Sequence, residues 1–308
     1  MQGLQLSSDF FLAHGLPMIQ QRFGDLTDRI AVGLVGPGSE CYGFDDDLSR
    51  DHDWGPGFCV WLQQQDYADY GAELSSAYHG LPSIFEGFGP RRISPGEEGR
   101  MGVMSIVGFY SRYTGLDHPP KGLQEWLRLS DEALSICTNG IVFHDPADQF
   151  SAWRRQLLAY YPEDIRRKKI ASRCMTLAQT GQYNLARSLE RSEPFASRYA
   201  ELQFCHDLMS IAFLLNRRYA PFYKWLHRAT AQLPLLGPIL YEQIIVLLNA
   251  EKGEEKIAIV EALCSLIIEE LHCQGLSDLS SAFLLDHAPR VQGGIRDPGL
   301  RKHFTVFN

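Results

Sequence analysis

The chain has 308 residues, enough for one large domain or two ordinary ones with a real core. Its composition, 45% hydrophobic and 21% charged with no low-complexity tract, excludes a disordered or fibrous protein. The formal net charge of -8 disfavours a surface for extended nucleic acid, and no run approaches the ~20 apolar residues of a membrane span.

The seven cysteines, at 41, 59, 137, 174, 205, 264 and 273, are scattered and form no Cys-x-x-Cys pair. An odd set of this kind fits a reduced protein with free thiols. The segment Met1–Gln5 lacks the charged start and cleavage site of a secretory signal. A soluble, cytoplasmic protein is expected.

In chain order, Ser7 or Ser8 can cap a helix from Asp9 to Phe23, bent at Gly15 and Pro17. An almost wholly apolar strand follows over Arg29–Val35, the pattern of a central strand. After Gly55-Pro56-Gly57 comes a second apolar run, Phe58–Leu62, then a helix over Asp66–Tyr78. Gly80–Gly99 reads as an irregular loop, and Met101–Phe109 as a further strand. These elements suit a small mixed sheet with helices packed on it.

Near Thr114–Pro120 the composition changes, which places a domain boundary at about 116/117. Beyond it apolar residues recur with helical period. Short helices are expected over Lys121–Leu129 and Asp131–Cys137, then a short extended piece at Ile141–Pro146. Long helices follow over Gln149–Ala159, Pro162–Thr180, Tyr183–Arg191, Phe195–Leu215, Ala220–Ala231, Pro238–Asn249 and Glu254–Gln274. The fold class is therefore α+β, a small mixed-sheet domain (1–116) followed by a larger all-helical bundle (117–308).

The stretch Gly36–Trp54 concentrates the chemistry. A glycine-rich turn with a serine, Gly36-Pro37-Gly38-Ser39, directly follows the first apolar strand, and Asp51-His52-Asp53-Trp54 precedes the second. On a strand, Asp51 and Asp53 would share one face. Two such carboxylates repel by about 4 kcal/mol at an effective dielectric near 20, so a proton or a cation is expected to compensate them. Oxygen ligands favour magnesium or manganese. Dinucleotide, Walker-type and EF-hand loops each fail at required positions in this stretch. Spacing alone leaves two readings, an acidic solvated turn or a nucleotide and metal site.

Gly38-Ser39 followed by Asp51-His52-Asp53-Trp54 resembles the signature of the nucleotidyltransferase superfamily, the polymerase-beta-like fold, with His52 replacing an apolar member. The longer string Gly38–Asp53, together with Gly181-Gln182-Tyr183-Asn184 and Arg218–Trp225, is similar to the bacterial family called domain of unknown function 4037. The resemblance implies that Gly38 and Ser39 hold the phosphates of a nucleoside triphosphate. It implies that Asp51 and Asp53 coordinate Mg2+ or Mn2+ and serve catalysis, moving a nucleoside monophosphate from ATP or another NTP to an acceptor. A small-molecule acceptor is favoured, in analogy with kanamycin-modifying nucleotidyltransferases. The competing expectation is a non-catalytic nucleotide-binding regulatory or interaction protein.

That alternative arises because the superfamily usually adds a third carboxylate on a neighbouring strand, and Met101–Phe109 contains no acid. Glu86, Glu97, Glu98, Glu201 and Asp207 are the candidates for it. Asp45, Asp46 and Asp47 lie outside the signature and read as solvated. Lys224, in the polar-aromatic segment Arg218–Trp225, is a candidate phosphate partner. Gln182, Tyr183 and Asn184 read as a capping cluster, and Arg166-Arg167-Lys168-Lys169 as a solvated helix face.

Overall fold

A computed structural model describes residues 1–92 and 100–302. The chain forms two compact units. The first contains Met1–Lys121 and Ala133–Ala159, the second Gly122–Glu132 and Tyr160–Asn308.

The first unit is built on a four-stranded sheet in the order β3-β2-β1-β4. Strand β1 (Ala31–Leu34) pairs antiparallel with β2 (Cys59–Leu62) and with β4 (Ile141–His144). Strand β3 (Gly102–Ser105) runs parallel to β2. The sheet is thus mixed, and its two central strands are buried on both faces, as their unbroken apolar runs required.

Alternation along β2 sorts its side chains. Phe58, Val60 and Leu62 join Phe10, Phe11, Ile19 and Leu74 in the core on one face. On the other, Trp61 stacks on Phe150 at 3.9 Å and meets Phe109 edge-on at 5.5 Å. Phe150 belongs to the helix Gln149–Leu158. Strand β4 and this helix are why 133–159 returns to the first unit, beyond the expected boundary at 116/117. The hydrophobic pattern marked those elements correctly but carried no information on which core they join.

Three other expectations change. The first helix starts at Gly3, passes through a π-turn at Phe11–Gly15, and continues as Leu16–Arg22. Ser7 is no cap, because it is buried and donates its hydroxyl proton to Gly57 O at 2.6 Å. The strand expected over Met101–Phe109 ends at Ser105, whose Oγ accepts from Gly108 N and opens the helix Ile106–Thr114. A serine with a free amide three residues on is a helix start whatever the apolarity that follows.

The second unit is all helical among its described residues. Its longest helices are Glu163–Leu177, Pro194–Leu215 and Gly253–Cys273. Glu163–Leu177 continues through a π-helical segment, Ala178–Leu185, into Ala186–Glu190, so no new helix begins at Tyr183. Gly181 lies in that segment. A Cβ there would come within 2.3 Å of the Phe204 ring, so the close approach of two helices requires glycine. Gln182 does not cap its own helix. It donates to Glu261 and Ala282 O and accepts from Leu284 N, tying three segments together.

The basic run on the same helix is not a solvated face. Arg166, Lys168 and Lys169 are buried, as is Arg173 one turn further on. Arg166 bonds Leu214 O, Glu163 and Gln274, and Lys168 bonds Leu300 O. Lys169 pairs with Asp131 at 3.0 Å and Arg173 with Asp207 at 2.8 Å. Charged groups this deep require such partners.

Candidate functional site

The glycine turn leaves the end of β1 and enters a short 3-10 turn, Ser39–Tyr42, with Gly38 at its start. The turn is clasped from behind. Asn139 Oδ1 accepts from Gly36 N at 3.1 Å while Asn139 Nδ2 donates to Gly36 O at 2.6 Å. Asn139 is itself positioned by Arg154, whose guanidinium donates to the carbonyls of Thr138, Asn139 and Gly140. Gly140 N in turn reaches Cys41 O. Asn139 and Gly140 directly follow the helix Asp131–Thr138, and nothing in the sequence pattern links them to the glycine turn 103 positions earlier.

Under the turn lies Glu40, its side chain 3% exposed, paired with Arg91 at 2.7 Å. Arg91 also donates to the carbonyls of Asp53 and Gly55. One guanidinium thereby fastens the segment 53–55 to the glycine turn. A Cβ on Gly38 would lie 2.6 Å from the Glu40 carboxylate, so the turn tolerates no larger residue without moving that ion pair. Gly36, Gly38, Glu40, Asp53, Arg91 and Arg100 line one cavity of about 30 Å³. That space suits water or a monatomic ion and not a nucleotide, so any phosphate chain must lie at its mouth.

Asp51 and Asp53 are not on a strand. The 3-10 turn Leu48–Arg50 precedes them, Asp53 has a left-handed φ of 53°, and its N–H bonds Arg92 O at 2.7 Å. Strand alternation cannot act through such a backbone, and the two carboxylates go to different surroundings. Asp53, 18% exposed, faces the glycine-turn cavity with the Arg100 guanidinium 3.8 Å away. Asp51, 66% exposed, lies with a carboxylate oxygen 2.6 Å from His52 Nδ1 and lines a separate pocket with Arg50, Trp54, Phe88 and Arg92.

The expected solvated triplet is also differentiated. Asp45 accepts from Gly3 N and Trp54 Nε1, Asp46 holds Ser49, and Asp47 pairs with Arg50. Burial pushes the Cys59 thiol up to about 12 and holds Cys41 well above its ordinary range, so neither offers a thiolate beside the turn.

The candidates for a third carboxylate are scattered. Glu86 is exposed in a loop with φ 50°. Glu97 and Glu98 lie outside the described residues. Glu201 and Asp207 are buried in the second unit, paired with Lys256 at 2.5 Å and with Arg173. Lys224 is exposed in the same unit, its ammonium 4.9 Å from the centre of the Trp225 ring. Among the described residues no group of three or more His, Cys, Asp or Glu could hold a metal ion. As arranged here, with Asp51 held by His52 and Asp53 beside Arg100, the donor set does not fit magnesium, which demands near-octahedral oxygen ligands.

Residues 126–226 match the domain of unknown function DUF4037. This is the family expected from Gly181–Asn184 and Arg218–Trp225, and the match covers about a third of the chain, without the Gly36–Trp54 stretch. Among solved structures the chain is similar to a nucleotidyltransferase-like protein from Exiguobacterium sibiricum 255-15. The identity is 13% and the TM-score 0.39, over 85% of this chain and 76% of that one. No curated protein matches the sequence. No helix among the described residues is long and apolar enough to cross a membrane.

Proposed function

We propose that the protein binds a nucleoside triphosphate at the Gly36–Ser39 turn and acts as a nucleotide-binding regulatory or interaction protein on a nucleotidyltransferase-like scaffold. One observation carries this reading: the turn that the signature assigns to phosphates shares a cavity with Asp53 and two guanidiniums, while the second signature acid, Asp51, stands apart with His52. Backbone amides at a strand-to-turn junction suit phosphate oxygens, and Arg100, 3.8 Å from Asp53, is the looser of the two paired guanidiniums beside them. A site whose acids do not converge lacks the charge compensation that two-metal transfer needs.

The finer reading, magnesium-dependent transfer of a nucleoside monophosphate to a small acceptor, is favoured by Asp53 lying at the turn. It requires Asp51 to leave His52 and join Asp53. Calorimetry with ATP and GTP, with and without magnesium, on wild type and Asp53→Ala separates the two when combined with a pyrophosphate-release assay against acceptor pools. Binding that persists without magnesium, and no pyrophosphate release, is the expected result. Metal-dependent turnover abolished by Asp53→Ala would overturn the regulatory reading in favour of transfer. Absence of any nucleotide binding would overturn both.

A further inference from the structure

The segments 51–55 and 90–92 run together, joined by Asp53 N to Arg92 O and by the Arg91 guanidinium on the carbonyls of 53 and 55. Residues of these two segments are divided between two pockets. Asp53 and Arg91 line the glycine-turn cavity, whereas Asp51 and Arg92 line the neighbouring pocket of about 340 Å³, within the size range of small-ligand sites. Two residues of chain span at most about 7 Å, so the backbones of Asp51 and Asp53 are closer together than the ends of a nucleoside triphosphate.

The second pocket has a distinct chemistry. Trp54 and Phe88 meet edge-on at 5.0 Å, and the Arg50 guanidinium lies over both rings, 5.1 and 5.4 Å from their centres. Arg50 is already neutralised by Asp47 at 2.9 Å. The exposed Arg92 is then a donor, and the Asp51 carboxylate, with His52 Nδ1 2.6 Å from one of its two oxygens, an acceptor. A neutral planar ring would stack on the Arg50–Phe88 surface and bond at its edge.

We propose that this pocket takes the base of the nucleotide whose phosphates sit at the glycine turn, and that Asp51 makes it select guanine. The inference rests on the phosphate reading of that turn. A carboxylate accepts two adjacent N–H groups, which guanine presents at N1 and its 2-amino group. Adenine sets an amino group beside a ring acceptor that the carboxylate repels. Asp51 is thus a specificity residue and not a metal ligand.

The test compares GTP, ATP and inorganic tripolyphosphate binding to the full chain, without magnesium, for wild type, Asp51→Asn and Phe88→Ala. Asp51 is exposed and its carboxylate lies beside its chain neighbour His52, so Asp51→Asn leaves the fold intact. Wild type is expected to bind GTP about ten-fold or more tighter than ATP, the discrimination of one good bidentate pair. Asp51→Asn should erase that difference and leave tripolyphosphate unchanged, and Phe88→Ala should weaken both nucleotides but not tripolyphosphate. Equal GTP and ATP affinity with tripolyphosphate still bound would overturn the base pocket alone. So would an Asp51→Asn variant that weakens tripolyphosphate as much as GTP. Failure of tripolyphosphate to bind wild type would instead overturn the phosphate reading beneath it.

Discussion

Arg91→Ala is the sharpest perturbation of the glycine turn. Arg91 and Glu40 are 10% and 3% exposed and 2.7 Å apart, so the pair is scarcely screened by solvent. Removing the guanidinium strands a buried carboxylate, a defect that costs about 3–5 kcal/mol. The carbonyls of Asp53 and Gly55 also lose a donor, and each lost bond adds about 1 kcal/mol where water cannot replace it. Urea denaturation followed by circular dichroism measures the sum. The double variant Arg91→Met/Glu40→Leu supplies the control, because replacing both charges by apolar groups of similar volume removes the stranded charge and should recover most of the loss. Nucleotide affinity should not recover with it, since the 53–55 segment is no longer fastened to the turn. A loss below about 1 kcal/mol for Arg91→Ala, or a double variant as unstable as the single, would refute the reasoning.

Four further outcomes follow from the same structure. Phe150→Ala should destabilise the first unit by about 3–5 kcal/mol and change Trp61 fluorescence, since the two rings stack at 3.9 Å; denaturation melts check it. Gly33→Ala should disrupt β4 pairing, because its Cβ would fall 2.4 Å from Ile141 O; amide exchange at 141–144 reads this directly. Burial raises the Asp207 carboxyl, but the hydrogen bond from His206 and the charge of Arg173 outweigh it and hold the pKa below its ordinary value. The stability it contributes is therefore complete above the unfolded value of about 4 and lost as pH falls through the folded one, so Asp207→Asn should flatten the acid limb of a stability–pH profile. Finally, a thiol reagent should modify Cys273 alone in the native protein and the six buried cysteines only after unfolding.

The central strands were legible because burial on both faces leaves an unbroken apolar run, as in Ala31–Leu34 and Cys59–Leu62. Most helices of the second unit were legible from their period. The glycine turn was found from its residue types, but what holds it was hidden, because Asn139, Arg154 and Arg91 lie about 50 to 120 positions away and act through side chains. The shared face that a strand would have given Asp51 and Asp53 is absent for a local reason. Asp53 takes a positive φ and bonds Arg92 O, and no alternation survives that turn. Arg166–Lys169 misled because a run of cations is solvated by default. Here its anions and carbonyls arrive from 131, 214 and 300, separations that a sequence pattern does not encode.

Those separations bear on how the second unit folds. The helix Glu163–Leu177 cannot be desolvated until Asp131, Asp207, Leu214 O and Leu300 O are in place, because an unpaired ammonium or guanidinium costs several kcal/mol to remove from water. The partners come from before the helix, from the next long helix and from the far end of the described chain. Assembly in stages would bury cations ahead of their counter-charges, so the helices must close on one another together. Few partly built forms are then low enough in energy to populate, and the unit should melt as one cooperative block.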